Sequence, residues 1–307
     1  GKGVVDRGAL YGNKFTIVLR TLEDTDEKYF EERVEELKQN GFYNFFYLQR
    51  FGTPRLLTHY YGLLLFRGEY EKLVLTMLTE GSRWELPYFR EFRRGLKELG
   101  TDWKKIKEEI SKFPVIMRQE NILVAYLADN PDDYIGALQQ IPDQVRISAY
   151  AYSSYLFNKV LSGLIREGGG VPPKLPLVLS FEDQDRAPYK ELLEADNISF
   201  PFYGLKPFPF IRLQKRYVST RFQPEIEHAV LKPKGAVLSF TLKKGAYATT
   251  FLSHIFTLVS GLPLPEGMYL EPVDAKKIID TGTTAPTVEK LDKFIMRRGM
   301  DLDEILD

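Results

Sequence analysis

The first clear pattern in the chain is an alternation of apolar and polar side chains, with Phe15, Ile17 and Leu19 at every second position. This two-residue period predicts a strand with one apolar face. From Asp26 onward the apolar residues recur at helical spacing, and acidic residues stand where they complement the helix dipole. We predict a helix that packs on the sheet and ends at Gly41, since glycine can adopt the left-handed conformation of a helix terminus.

Helical periodicity dominates the middle of the chain. The last predicted strand is expected to join the first sheet. Start signals such as proline and Asp-rich turns mark where helices begin, and glycine clusters mark where they stop. We predict helices from Pro54, over 70–78, within 84–118, after Asn130-Pro131 and over 148–165, then a turn at Gly168-Gly169-Gly170, a strand over 237–242 and a helix over 246–259.

The stretch from Asn44 to Gly52 separates two of these helices and has an unusual composition for a connection. Its sequence, N-F-F-Y-L-Q-R-F-G, holds four aromatic rings, two side-chain amides, one arginine and one glycine. Rings can stack on an unpaired base, amides can pair with the edge of uracil, and arginine can hold a phosphate. The same aromatic side chains could instead fill a core, and composition alone does not decide between the two.

The overall charge argues against a protein that coats nucleic acid non-specifically, because 42 basic residues balance 42 acidic ones. The balance is local rather than uniform: from residue 206 to 244 there are nine Lys or Arg against two Glu. This stretch is either a solvated face or a surface that follows a phosphate backbone. The candidate phosphate contacts are Arg212, Lys215, Arg216, Arg221, Lys243 and Lys244.

Several kinds of chemistry are excluded by what the chain lacks. It has no cysteine, so disulfides and thiolate chemistry are absent. Its three histidines lack the spacing of a zinc site or of a nucleophile and its base. The longest apolar run is interrupted by His254 and by prolines, so we expect no membrane span, and a cytoplasmic location is the default expectation.

Four motifs, in order, resemble the tRNA pseudouridine synthase D (TruD) family. The stretch N-F-F-Y-L-Q-R-F-G resembles that family's N-Y-F-G-x-Q-R-F-G signature, and G-A-L-Y-G-N-K-F-T-I-V-L-R (Gly8 to Arg20) resembles its G-x-L-x-G-N-x-F-x-x-x-L-R strand. Downstream, A-Y-S-S-Y-L-F-N (Ala151 to Asn158) is similar to A-Y-Q-S-Y-L-F-N, and K-K-G-A-Y-A-T (from Lys243) to L-P-K-G-S-Y-A-T. The resemblance extends from about Gly8 to about Leu258.

The resemblance implies an α+β fold, with a mixed and largely antiparallel pseudouridine-synthase-like sheet that a mostly helical α+β insertion interrupts. The catalytic domain would comprise 1–70 and 212–261, the insertion 71–211, and a C-terminal extension 262–307. The implied activity isomerises a tRNA uridine, expected to be uridine 13, by flipping the base, and needs neither a metal nor an organic cofactor. The implied substrate-binding residues are Asn13, Asn44, Phe46, Gln49, Arg50, Phe51 and Gly52, with Asn44 and Phe46 as the wall of the base pocket.

The chain departs from the family pattern at three places. Tyr47 replaces a glycine and Ser153 a glutamine. The family's nucleophilic aspartate lies in a G-x-K-D-x-x-A motif upstream of the first strand, before this chain begins, so we assign no catalytic residue and expect a missing or separate N-terminal segment to carry it. Asp6 and Asp185 each precede an arginine, but we interpret them as turn or surface charges.

Two alternatives remain open on the sequence. One is a non-catalytic RNA-binding protein with the same fold, which would bind tRNA without changing uridine. The other is a structural or protein-interaction module that does not bind RNA, which the balanced net charge would suit.

Overall fold

The computed structural model of the chain describes residues 10–258, 273–286 and 288–290. The first elements are β1 Gly12–Arg20, α1 Glu27–Asn40, β2 Phe42–Tyr43, α2 Leu48–Phe51, α3 Thr58–Arg67, α4 Tyr70–Thr79, α5 Pro87–Glu98, α6 Trp103–Ile110, α7 Arg118–Asp129, α8 Tyr134–Gln139 and α9 Pro142–Glu167. They are followed by β3 Lys174–Pro176, α10 Asp183–Arg186, α11 Lys190–Ala195, β4 Tyr217–Ser219, β5 Arg221–Phe222, β6 Glu225–Lys232, β7 Gly235–Lys243, α12 Ala248–Ser253 and α13 Ala275–Ile278.

These elements form two compact units. Among the described residues, the first unit holds those up to Phe42 and those from Phe222 onward, and the second holds Tyr43–Arg221. The predicted boundaries at 71 and 211 fall inside the second unit, and the assignment of 1–70 with 212–261 to catalysis and of 71–211 to an insertion stays a prediction. Most of the predicted extension over 262–307 lies outside the described residues.

The first unit is built on a three-stranded antiparallel sheet in the order β1, β7, β6. β7 is the central strand, and its residues from Gly235 to Phe240 are all buried. Phe15 of β1 lies opposite Phe240, and their rings stack with centroids 5.4 Å apart. Helix α1 contributes Phe30 and Val34 to this core, so the predicted packing of that helix on the sheet is confirmed.

The second unit is mainly helical, and its core is a separate cluster of apolar side chains from α3 to α9 and the loops that follow. Helices α3 and α9 make its most extensive contact. They approach closely at Gly62, where a Cβ atom would lie 2.1 Å from the carbonyl oxygen of Ser148 and 2.6 Å from Cβ of Tyr152. Only glycine permits this approach, so Gly62 fixes how α3 and α9 pack on each other.

The termini of several helices follow their sequence signals. Asp26 caps α1 by accepting a hydrogen bond from the Tyr29 N–H at 2.7 Å, and Gly41 follows the helix with φ of 66°. Asp133 caps α8 in the same way, through the Gly136 N–H at 2.8 Å. The predicted glycine turn after α9 is also confirmed, because Gly168 ends that helix in a left-handed conformation.

Three predicted helix boundaries are wrong. No helix begins at Pro54, because Pro54 lies in a turn and Leu56 adopts a positive φ of 58°. Helix α3 begins only at Thr58. Helix α9 begins at Pro142 rather than at residue 148, because Pro142 takes the first helical position. Helix α12 ends at Ser253, well before residue 259, which is outside the described residues. None of the described helices is both long and apolar enough to cross a membrane.

Candidate functional site

The stretch Asn44–Gly52, here called the aromatic segment, leaves β2 as extended chain and then folds into the single turn of α2. Tyr47 precedes this turn with φ of −122°, a conformation open to any residue, so the family's glycine is not required here for backbone reasons. Gly52 ends the turn with φ of 81°, and a Cβ atom there would lie 2.1 Å from Oγ1 of Thr58. Glycine at position 52 is therefore required both by conformation and by space.

A side chain from α9 holds the middle of the aromatic segment. The Asn158 amide oxygen accepts a hydrogen bond from the Phe46 N–H at 2.9 Å, and its amide nitrogen donates to the Phe46 carbonyl oxygen at 2.8 Å. The ring of the preceding residue, Phe157, packs edge-on against the Phe46 ring at 5.3 Å. Two of the sequence motifs, separated by more than one hundred residues, therefore meet at Phe46.

Burial alternates along the extended part of the segment. Asn44 is 1% exposed and Phe46 is 7% exposed, whereas Phe45 and Tyr47 are half-buried and Gln49 is exposed. The Asn44 side chain donates to the Ser219 carbonyl oxygen at 3.0 Å, and its N–H donates to the Thr220 carbonyl oxygen. Asn44 and Phe46, which we expected in the pocket wall, thus hold the segment in shape.

The end of the aromatic segment contacts a row of rings on α3 and α9. Phe51 lies edge-on to the imidazole of His59 at 5.3 Å, and His59 stacks on Tyr155 at 4.9 Å. Burial lowers the pKa of His59, which favours the neutral imidazole. On the side of α2, the Arg50 guanidinium lies 5.3 Å from the centre of the Phe46 ring, a cation–π distance.

A buried ionic network, which the sequence patterns did not reveal, fixes the chain just beyond the segment. Arg55 donates to the Met77 carbonyl oxygen at 2.8 Å and pairs with Glu120 at 3.2 Å. Glu120 also pairs with Arg93 at 3.4 Å, and Arg93 pairs with Glu85 at 3.1 Å. Because Arg93, Glu85 and Glu120 are all buried, loss of one partner would leave an uncompensated charge.

Ser153, the second departure from the family pattern, is fully buried in α9. Its hydroxyl oxygen has no hydrogen-bond partner within the described residues. It therefore lies in the interior of the second unit, and a glutamine at this position would have to find room there for a larger polar side chain.

The predicted phosphate contacts are all exposed but are divided between the units. The second unit carries Arg212, Lys215, Arg216 and Arg221, and none of these four forms an ion pair with a carboxylate of the described chain. The first unit carries Lys243 and Lys244 at the end of β7, together with exposed Asn13 on β1. The Arg221 guanidinium lies 4.9 Å from the ring centre of Tyr43, which directly precedes the aromatic segment.

Asp185, interpreted from the sequence as a turn or surface charge, is instead buried with 1% exposure. It accepts hydrogen bonds from the Tyr217 hydroxyl at 2.6 Å and the Ser180 hydroxyl at 2.8 Å, and the Tyr217 bond does most to hold its pKa below the usual range. Asp185 thus ties β4 to the chain after β3 and has a structural role. Asp6 lies outside the described residues. Within the described ranges no cluster of three His, Asp or Glu side chains could hold a metal ion.

Comparisons with known proteins bear on the family and the fold of this chain. A sequence profile of the family tRNA pseudouridine synthase D (TruD) matches residues 2–176. A protein of Methanopyrus kandleri assigned as a tRNA pseudouridine synthase D is 30% identical over 267 residues, covering 81% of this chain and 65% of the relative. One of Methanosarcina barkeri with the same assignment is 34% identical over 169 residues, covering 53% of this chain and 38% of that protein. A solved structure from Methanosarcina mazei with this assignment aligns with a TM-score of 0.65 at 23% identity, over 81% of this chain and 69% of that chain.

The structural alignment defines the class: this chain has the α+β fold of that structure, as the resemblance predicted. Since the profile covers more than half of its residues, the chain belongs to the tRNA pseudouridine synthase D (TruD) family. The family membership inferred from the four motifs is thereby confirmed. The chain spans less than two thirds of the length of these curated relatives.

Proposed function

We propose that this chain is part of a tRNA pseudouridine synthase and that its aromatic segment receives the flipped uridine. In this reaction the bond from ribose C1′ to uracil N1 breaks, a bond from C1′ to C5 forms, and the hydrogen lost from C5 is balanced by one gained at N1. The double hydrogen bond between Asn158 and Phe46 is the observation that supports this proposal. It shapes a segment of family-signature residues that a base could stack on.

The exposed and half-buried side chains of the segment contact the nucleotide in this proposal. Gln49 offers an amide to the uracil edge, and the half-buried rings of Phe45 and Tyr47 offer stacking faces. Phe46 and Asn44 act from the buried side by holding the backbone in place. Such preorganisation matters because a detached uracil must be kept close to the ribose while it turns.

The substrate we propose is a tRNA, and the position we expect to be modified is uridine 13. We propose that the protein acts in the cytoplasm. Support comes from the exposed basic residues Arg212, Lys215, Arg216 and Arg221 of the second unit, which have no carboxylate partner among the described residues. These residues would contact phosphates, and so would Lys243 and Lys244. Phosphate contacts position an RNA without reading its sequence, so the choice of uridine must come from the segment and from the fold of the RNA.

The attacking aspartate would come from a polypeptide segment upstream of Gly1, whether joined to this chain or supplied separately. The aromatic segment itself contains no Asp or Glu, and the buried Asp185 is engaged as a structural acceptor. Neither a metal nor an organic cofactor enters the proposed reaction.

The experiment incubates unmodified tRNA with the chain, alone and together with the upstream segment, and maps pseudouridine by carbodiimide-dependent reverse-transcription stops. We expect product only when the upstream aspartate is present, and a Gln49→Ala variant should be about 2- to 10-fold slower, as the loss of one neutral hydrogen bond predicts. Gln140→Ala, which changes an exposed glutamine on another loop, is the matched control. Binding of tRNA with no product in either mixture would favour the non-catalytic alternative.

A further inference from the structure

A second surface of the second unit exposes large apolar side chains that the proposed site does not use. It consists of Arg83, Trp84, Tyr88, Val115 and Ile116, here called the Trp84 surface. Val115 is 84% exposed, Ile116 is 70%, Tyr88 is 62% and Trp84 is 45%. Single exposed apolar residues are ordinary, but several grouped on the first turn of α5 and on two turns indicate a binding surface.

One ring of this surface, that of Tyr88, packs on half-buried rings on one side. Tyr88 lies edge-on to Phe89 at 5.4 Å and to Phe113 at 6.0 Å, and Phe113 packs in turn on Phe92 at 5.0 Å. The three phenylalanines are half-buried, whereas Tyr88 keeps most of its surface in solvent. A ring fixed on one side and open on the other can stack on a base with little loss of side-chain entropy.

The charge around these rings is positive. The Arg83 guanidinium lies 4.3 Å from the ring centre of Trp84. Arg83, Arg90 and Arg118 are exposed and have no carboxylate partner within 4.0 Å in the described ranges, whereas the nearby Glu91 is already paired with Arg94. Open aromatic faces beside unpaired arginines are the combination that binds single-stranded nucleic acid, by stacking and by phosphate contact.

The buried network that fixes the chain just beyond the aromatic segment also fixes this surface. Glu85, which directly follows Trp84, pairs with Arg93 at 3.1 Å. Glu120, at the start of α7 just after the Val115 loop, bridges Arg93 and Arg55. The two loops next to Glu85 and Glu120, and Arg55 three residues after the aromatic segment, are therefore held by one set of buried charges within one unit.

We propose that the Trp84 surface binds unpaired nucleotides of the RNA substrate, away from the uridine that is modified. The inference rests on the proposed function only for the identity of the RNA. Stacking supplies the affinity, and Arg83 with Arg118 supplies phosphate contacts. A double helix offers no free base faces, so the surface distinguishes single-stranded from paired RNA.

The test measures binding by fluorescence anisotropy with unmodified tRNA, a labelled 12-nucleotide oligouridine and a duplex of equal length. Trp84→Ala with Tyr88→Ala should weaken oligouridine and tRNA binding at least about 10-fold, from the usual contribution of stacked bases. Duplex binding should change less than twofold. Tyr203→Ala, which removes another exposed tyrosine of the same unit, is the matched control and should bind as the unchanged chain does.

A second pair of variants keeps the rings intact in case the double alanine variant does not fold. Val115→Glu places a negative charge on the surface, and Val115→Gln places a neutral side chain of similar size there. We expect Val115→Glu to bind oligouridine at least about fivefold more weakly than Val115→Gln at low salt, with the difference fading as salt is raised. Arg83→Gln should lower the slope of log affinity against log salt by about 1.

The result that overturns the inference is equal oligouridine binding by Val115→Glu and Val115→Gln, together with unchanged binding by the double alanine variant if it folds. If sedimentation shows that these substitutions dissociate a dimer, the surface is a protein–protein contact, and this result would also overturn the inference. The assay for pseudouridine tests the proposed function independently of these binding measurements. If the protein binds oligouridine through this surface but forms no pseudouridine, the inference about the surface holds and the proposed activity is refuted.

Discussion

The hydrogen bonds from Asn158 to Phe46 predict the clearest single effect on the candidate site. Asn158→Leu keeps the size of the side chain but removes both bonds, which measure 2.9 and 2.8 Å. Each neutral hydrogen bond contributes about 0.5 to 1.5 kcal/mol, so the free energy of unfolding should fall by about 1 to 3 kcal/mol. For a unit of this size that corresponds to a melting temperature lower by about 2 to 12 °C.

The matched control is Asn121→Leu, at a half-buried asparagine whose amide donates to the carbonyl oxygens of Met117 and Ile110 at 3.0 and 3.2 Å. Both variants should lose similar stability in a urea titration. Only Asn158→Leu should raise hydrogen exchange at the amides of 44–52. With the upstream segment present, only this variant should lower the maximal rate of pseudouridine formation at saturating tRNA. Unchanged exchange in 44–52 would refute the argument that Asn158 shapes the segment.

Four further changes test other parts of the structure. Gly52→Ala should destabilise the chain by more than about 1 kcal/mol in urea, because its φ of 81° is unfavourable for alanine and the new Cβ would meet a hydroxyl oxygen at 2.1 Å. Gly163→Ala, with open space inside α9, should stabilise it by about 0.5 to 1 kcal/mol. Glu120→Gln should destabilise by about 3 to 5 kcal/mol because it removes the charge opposite two arginines, and a smaller loss than Gly52→Ala would contradict a buried network. Tyr217→Phe should raise the pKa of Asp185 toward its ordinary 3.8, since it removes the largest cause of the lowering. A lowered folded pKa adds stability above pH 3.8 that is lost on acidification, so the deficit of this variant should be full at neutral pH and shrink as the pH falls below 3.8.

Local signals in the sequence predicted much of the fold. The Asp26 cap, the Gly41 terminus and the alternation of Phe15 with its neighbours each involve residues within a few positions of one another, and the structure has all three. Pro54 was misleading, because proline suits the first turn of a helix and equally suits a tight turn. In the structure Pro54 lies in a turn, and the positive φ of Leu56 is incompatible with a right-handed helix that continues from it.

The candidate site could be located from the sequence but not assembled from it. The motif containing Asn158 was recognised, yet its partner Phe46 lies 112 positions earlier, and no periodicity links residues so far apart. The network of Arg55, Arg93 and Glu120 was missed for the same reason, since charged residues on helices are by default assigned to solvated faces. Burial of Asn44 was also hidden, because an asparagine becomes interior only where carbonyl oxygens such as that of Ser219 receive its donors.

The glycine at position 62 has a consequence for residues it never touches. Helix α9 runs unbroken for 26 residues, about 39 Å at 1.5 Å per residue, and it is pressed against Gly62 at Ser148. Asn158 lies ten residues further along the same rod, about 15 Å away. Even one methyl group at position 62 would displace α9 outward at Ser148. Because the helix is unbroken, Asn158 would then move away from Phe46.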